Sequence, residues 1–249
     1  MTPERVAFVV DEDHPGTSEA VWAGSDRLGG LAELDLPEVA RVLVVAPHPD
    51  DEILGAGGLL QVLHGRGVAI EVCAVTDGEQ GGPGVGDLAA VRAREAHRAL
   101  EALGLPAPGC AVRTRLRIPD GGVSEAAGRL DAALAERLAP DTLCVAPWAE
   151  DRHPDHEASG RAAARAAAGA GSPLLAYPVW AWHWADPAGD DLPWDAARRL
   201  PLTRRQVARK RLAIAAHRSQ LAARRPGDLP VLPPPVLAHF RRGFEVYLT

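Results

Sequence analysis

The chain has 249 residues, 47% of them hydrophobic, and a net charge of −6. That length suits one α/β domain with a sizeable core. The mild, dispersed acidity excludes a nucleic-acid-binding surface, and no apolar run approaches the ~20 residues of a membrane helix.

The N-terminus lacks the apolar core and small-residue cleavage site of a secretory signal. Cys73, Cys110 and Cys144 are far apart and form no CxxC pair, which fits a reducing compartment. The expectation is a cytoplasmic protein with neither nucleic acid nor membrane as partner. Nothing in the pattern speaks to oligomeric state.

Residues 1–40 are irregular, with a short strand expected at VAFVV (6–10) and no chemical motif. They are read as an N-terminal extension of a single domain spanning 1–249. From Arg41 the pattern changes. RVLVVAP (41–47) is a short, β-branched apolar run ended by proline, the signature of a buried parallel strand. A helix is expected over 52–66 and a second strand at AIEVCAVT (69–76). TDGEQGGPGVG (76–86) is a glycine-rich loop. Asp87 caps the next helix, and Gly104 ends it. Strands follow at CAVRTRLRIPDGG (110–122), DTLCVAPW (141–148) and LLAYPVWAW (174–182), with helices over 124–138, 157–168 and 203–222. FEVYL (244–248) closes the series. Alternating strands and helices predict a Rossmann-like, mainly parallel sheet with helices on both faces. Ligands bind such sheets beyond the carboxyl ends of the strands.

Two motifs fall there. His48-Pro49-Asp50-Asp51-Glu52 follows the first clear strand, and His153-Pro154-Asp155-His156 follows the strand ending near Trp148. Two histidines and a carboxylate with an open fourth position form a common catalytic zinc set, although imidazole and carboxylate also suit other metals. Adjacent Asp50 and Asp51 diverge on an extended loop, so one can bind metal while the other faces water. His48 and Asp51 are three apart, as are His153 and His156. Of the last two, one can bind metal while the other faces substrate. Each motif alone also fits a turn or helix cap; the pair at two strand ends points to chemistry. Lys210 is the only lysine and lies in ARKRLA, which excludes a phosphate-loop motif.

APHPDDEILGAGG (46–58), TDGE (76–79), RAREAHRALEALG (92–104) and HPDHEASG (153–160) resemble the PIG-L/LmbE-like family of N-acetylglucosaminyl deacetylases and related amidases. KRLAIAAHRSQL (210–221) is similar to that family's KxxAxxxHxSQ region. The resemblance implies that His48, Asp51 and His156 bind Zn2+, that Asp50 is the general base, and that protonated His153 is the general acid or oxyanion stabiliser. It implies hydrolysis of an acyl group, acetyl above all, from the amide nitrogen of a small-molecule amino sugar or glycoconjugate. Asp151 stands where some sugar deacetylases have a tyrosine.

Arg94, Asp120, Asp151 and His217 are the candidate substrate contacts, with helix packing the competing reading for His217. Asp77 and Glu79 suit a sugar hydroxyl or a solvated loop. Glu52 reads as first-turn helix charge, and Asp155 as a turn former or an orienter of a ligand histidine. An extended segment puts Trp180, Trp182 and Trp184 on one face with His183 opposite. Three rivals stand beside the deacetylase: an amidase acting on a thiol conjugate or antibiotic precursor, a two-metal phosphoesterase, and a non-catalytic sugar-binding module.

Overall fold

The computed structural model describes residues 16–80, 87–106, 110–223 and 229–249. The strand expected at 6–10, the end of the glycine-rich loop, and Arg224 and Arg225 lie outside the described residues. In chain order the elements are α1 (Glu19–Gly24), α2 (Asp26–Gly29), β1 (Arg41–Ala46), α3 (Asp51–Gly65), β2 (Ala69–Ala74), α4 (Leu88–Leu103), β3 (Ala111–Arg115), α5 (Ala127–Ala135), β4 (Thr142–Pro147), α6 (Pro154–Ala170), β5 (Leu174–Tyr177), α7 (Ala181–Trp184), β6 (Ala197–Pro201), α8 (Arg204–Ala216), α9 (Arg218–Leu221), α10 (Pro234–His239) and β7 (Phe244–Leu248).

Seven strands form one sheet in the order β3-β2-β1-β4-β5-β7-β6. The first five pair in parallel, and β7 runs antiparallel to both β5 and β6. This is the expected mainly parallel α/β sheet. β1 is apolar on both faces because both are covered. Val42, Val44 and Ala46 join one apolar cluster with α3, α4 and α8. Leu43 and Val45 join a second with α5 and α6. β1 and β4 are neighbours where the strand order reverses, the crevice in which such sheets bind ligands.

Local signals set the helix ends. The Asp87 side chain accepts the Ala90 N–H, and Gly104 stops α4 in the left-handed region. Glycines set how closely the helices approach. A Cβ on Gly55 would lie 2.1 Å from the Tyr177 ring, and one on Gly160 2.4 Å from the Pro147 carbonyl oxygen.

Three expectations change. The strand expected at 174–182 ends at Tyr177, and 181–184 is a helical turn. Trp180 and Trp184 are therefore four apart on a turn, while Trp182 is buried edge-on against Trp22. The cause is long-range: the Asp151 carboxylate accepts the N–H groups of Val179, Trp180 and Ala181 and turns the chain there. The helix expected over 203–222 breaks at His217, between α8 and α9. β6 lies in a segment to which the sequence reading assigns no element, and it pairs with β7. Residues 16–40 are tied down as well: the Trp22 indole donates to the Trp182 carbonyl at 2.7 Å, and the Arg199 N–H donates to the Ala32 carbonyl.

Lys210 is buried. Its Nζ lies 2.8 Å from the Leu54 carbonyl and 2.5 Å from Glu245 Oε1. Glu245 in turn accepts the N–H groups of Gly58 and Leu59 and the Tyr247 hydroxyl. In an undisturbed helix the Leu54 carbonyl pairs with the Gly58 N–H. Here each takes a side-chain partner, so an ion pair from α8 and β7 grips the middle of α3. Lys210→Met leaves the Glu245 carboxylate buried without its cation. We expect a loss of about 3–5 kcal/mol in chemical denaturation; a loss below about 1 kcal/mol would show that solvent reaches the pair.

Candidate metal centre

β1 leads through Pro47 to His48, and α3 begins at Asp51. Asp50 lies between them at φ 149°, ψ −27°, and its carbonyl accepts the first helical hydrogen bonds from Ile53 and Leu54. Its own carboxylate makes no cap hydrogen bond. β4 leads through Trp148 and a tight turn to His153, the N-cap of α6, and His156 lies in the first turn of that helix. Asp51 Oδ2 accepts the His48 N–H at 2.9 Å.

The two loops converge. Asp51 Oδ2 lies 3.3 Å from His48 Nδ1 and 3.3 Å from His156 Nε2. The rings of His48, His153 and His156 form a triangle with centroid separations of 4.7 to 5.4 Å. His156 Nδ1 is 2.8 Å from Asp151 Oδ2, whereas its Nε2 is buried with no hydrogen-bond partner. An imidazole tethered through one nitrogen, with the other orphaned beside a carboxylate, is the arrangement of a metal ligand. Ligand atoms about 2.0–2.1 Å from a tetrahedral zinc lie about 3.3–3.4 Å apart, so both contacts of Asp51 have the spacing of a shared ion. Ligand atoms of His48, His153 and His156 also lie within 4.8 Å of one another, as do those of His48, Asp120 and Asp155. In the second group Asp155 is engaged: Oδ2 accepts from Gly121 N–H and lies 3.2 Å from His48 Nε2, and Oδ1 accepts from Val123 N–H. It orients His48, as the sequence allowed.

A cavity of about 180 Å³ opens over these groups. Its lining adds the polar residues Arg92, Asp120 and Gln220 and the apolar residues Leu54, Val179, Trp180, Val231 and Leu232. Asp120 lines this cavity, with Oδ1 3.3 Å from His48 Nε2. The other three candidate substrate contacts lie outside its lining. Arg94 is exposed on α4 and outside the cavity lining; Arg92 is buried and takes that place, donating to the Gly78 carbonyl. The helical phase carried the signal, since Arg92 and Glu95 share the buried face with Ala99 and Leu103. Asp151 is fully buried and committed to His156 and three backbone N–H groups, which makes it an orienter of His156. His217 is buried outside the cavity lining. Gln220 and Trp180 also line the cavity. Gln220 is the glutamine of the 210–221 segment and is given no role by the sequence reading. Trp180, for which stacking on a ligand is weighed against packing, stacks on His153 at 6.5 Å.

The charges are strongly coupled. Burial, then the neighbouring Asp51 charge, pushes the Asp50 carboxyl well above the usual carboxylate range. Burial acts the same way on Asp51, but His156 and His48 overcome it and hold Asp51 well below that range. Burial opposes a charge on His156, and Asp51 and Asp151 reverse this, raising it to about 9. Burial and the two other histidines lower His153 to about 3. His153 is thus neutral at rest, not the protonated group expected from the resemblance. Its Nδ1 accepts the Asp155 N–H, which leaves the proton on Nε2.

Without a cation, His156 carries its Nε2 proton at neutral pH, and a metal at that atom must displace it. Zinc affinity should therefore fall as pH drops below about 9. Calorimetry at pH 7.5 in buffers of different ionisation heat should show about one to two protons released per zinc. Zinc uptake without proton release would mean that His156 is already neutral.

The PIG-L family model, described as GlcNAc-PI de-N-acetylase, matches residues 43–167. A 1D-myo-inositol 2-acetamido-2-deoxy-alpha-D-glucopyranoside deacetylase of Mycobacterium leprae is 32% identical over 148 residues, 49% of this chain and 48% of that protein. A Bacillus cereus protein named as a probable N-acetyl-alpha-D-glucosaminyl L-malate deacetylase is 35% identical over 136 residues, 51% of this chain and 60% of that protein. The chain thus spans about half the length of the curated relatives it matches. The crystal structure of a conserved protein from Thermus thermophilus superposes with a TM-score of 0.61 at 26% identity, covering 85% of this chain and 94% of that one. The span matched by the family model carries both histidine–aspartate motifs, and the chain belongs to the PIG-L family.

Proposed function

We propose that this chain is a zinc-dependent deacetylase that hydrolyses the N-acyl group, acetyl above all, of an amino sugar or its conjugate. The observation that carries this reading is the buried, orphaned His156 Nε2 facing Asp51, with His48 across from it and the uncapped Asp50 carboxylate in the same cavity. His48, Asp51 and His156 would hold the ion, and its open side would face the cavity. The ion supplies Lewis acidity, which polarises an amide carbonyl and acidifies water.

The chain's own groups do the rest. Asp50 accepts the proton of the attacking water; its raised affinity for a proton suits a base that must later give that proton up. Neutral His153 donates from Nε2 to the developing oxyanion. The proton held by Asp50 passes to the departing nitrogen, which leaves as an amine beside the product carboxylate. Arg92 and Asp120 give the cavity polar groups suited to sugar hydroxyls, and Trp180, Leu54 and Val179 give it apolar surface suited to an acyl group. The cavity is smaller than the roughly 300–1,000 Å³ that encloses a drug-sized ligand. It suits the reacting end of the substrate, with the rest of a larger conjugate lying outside. The relatives named as deacetylases of acetylated glucosamine compounds support the same substrate class.

Metal analysis should find about one zinc per chain, and a screen of N-acetylglucosamine derivatives should release acetate. Two metals per chain with phosphate-ester cleavage would replace this reading by the phosphoesterase. Asp50→Asn should keep the zinc and lower kcat by about 100- to 10,000-fold. Undiminished turnover in the zinc-loaded variant removes Asp50 from the role of base.

A further inference from the structure

Asp50 occupies a backbone conformation, φ 149° with ψ −27°, that L-residues rarely adopt. Such a residue keeps its geometry only when the surroundings over-determine it. Two buried side chains do so here. The Glu52 carboxylate reaches back two residues and accepts the Asp50 N–H on Oε2 at 3.1 Å. The Gln220 amide donates to the Pro49 carbonyl. The two hydrogen bonds hold the two ends of a single peptide group, the Pro49–Asp50 link: Glu52 of α3 takes its N–H and Gln220 of α9 its carbonyl.

Both holders are themselves anchored. α9 is fastened to α4, because Ser219 donates from its N–H and its hydroxyl to the two carboxylate oxygens of Glu95, at 2.9 and 2.6 Å. The Gln220 carbonyl accepts the Leu232 N–H. Burial raises Glu52 above its ordinary range, and the Arg113 guanidinium pulls it back. Glu52 Oε1, Nε and Nη2 of Arg113, and both ring nitrogens of His217 are buried without hydrogen-bond partners. They are donors and acceptors of the kind that a buried water satisfies.

We infer that Glu52 and Gln220 are positioning residues, which hold the Asp50 turn so that its carboxylate faces the cavity and does not cap α3. An aspartate just before a helix ordinarily turns its side chain onto the first-turn N–H groups. Released from the two hydrogen bonds, Asp50 relaxes toward that cap and leaves the cavity. This inference rests on the proposed role of Asp50 as base, but the geometry it describes can be read without turnover.

The experiment compares zinc-loaded wild type with Glu52→Met, Glu52→Gln and Gln220→Met. Zinc content, thermal midpoint, crystal structures, and kcat and KM for amine release from N-acetylglucosamine are measured for each. In Glu52→Met and Gln220→Met, zinc content should match wild type, KM should stay within about threefold, and kcat should fall about 10- to 100-fold. Asp50 should leave its positive φ in both crystal structures. Glu52→Gln keeps an acceptor oxygen for the Asp50 N–H and should recover most of the kcat lost in Glu52→Met. The inference is overturned if Asp50 keeps its backbone and kcat is unchanged, or if kcat, zinc and thermal midpoint fall together and Glu52→Gln recovers nothing. Should Gln220→Met not fold, Gln220→Glu keeps the side-chain size, removes the donor and is read by the same criteria. If wild type releases no amine from N-acetylglucosamine, the proposed substrate fails, and the position of Asp50 in the variant crystal structures decides the inference alone.

Discussion

The pairing of β1 with β4 is the constraint on which everything else in this chain depends. Val44 lies opposite Val145, so two loops about a hundred residues apart leave the sheet side by side. A sheet with β1 and β4 separated by another strand, about 4.8 Å per strand position, would open the contact between Asp51 and His156 beyond any shared ion. Apolar residues on both faces of β1 and β4 make that pairing costly to break, since both clusters of the core pass through it. The candidate site is therefore positioned by the strands through which both clusters pass, with Asp51 and His156 buried in the first turns of α3 and α6.

The second constraint is charge. Asp50, Asp51, Glu52, Asp151 and Asp155 are all buried within a few residues of one another in space or sequence. A buried carboxylate is costly unless it is paired. The chain offsets the cost in two ways. Asp151 and Asp155 take several backbone N–H groups and one imidazole each. Asp51 takes two imidazoles and has room for an ion between them. Asp50 has neither, and burial with the Asp51 charge raises its proton affinity while Asp51 is held low. The difference between two adjacent aspartates comes from their surroundings, and it is what suits Asp50 to the proton-accepting role proposed above.

Much of this was legible in the sequence, for identifiable reasons. The strand at 41–46, the cap at Asp87 and the stop at Gly104 are written in short windows, and the structure has all three. The two histidine–aspartate motifs were legible because parallel sheets expose their strand ends. What was not legible depends on distant partners. The chain turns into 181–184 because Asp151 gathers the N–H groups of Val179, Trp180 and Ala181 just ahead of it. β6 is a strand because β7 lies beside it. Arg92 faces inward and Arg94 outward because a two-residue step on a helix reverses the face, a distinction that the motif around Arg94 does not carry.

The C-terminal segment gives the site its rigidity. It is rich in polar residues, yet several point inward. Lys210 grips the Leu54 carbonyl in α3, Ser219 locks α9 to α4, and Gln220 holds the Pro49 carbonyl. The helix carrying Asp51 is therefore restrained at its middle and just before its start. A shift of about 1 Å in a reacting group can cost a hundredfold in rate, so bonds that hold the Asp50 turn bear directly on the role proposed for it. The break at His217 ends α8 and begins α9, whose Ser219 and Gln220 make the contacts with α4 and with the turn before α3.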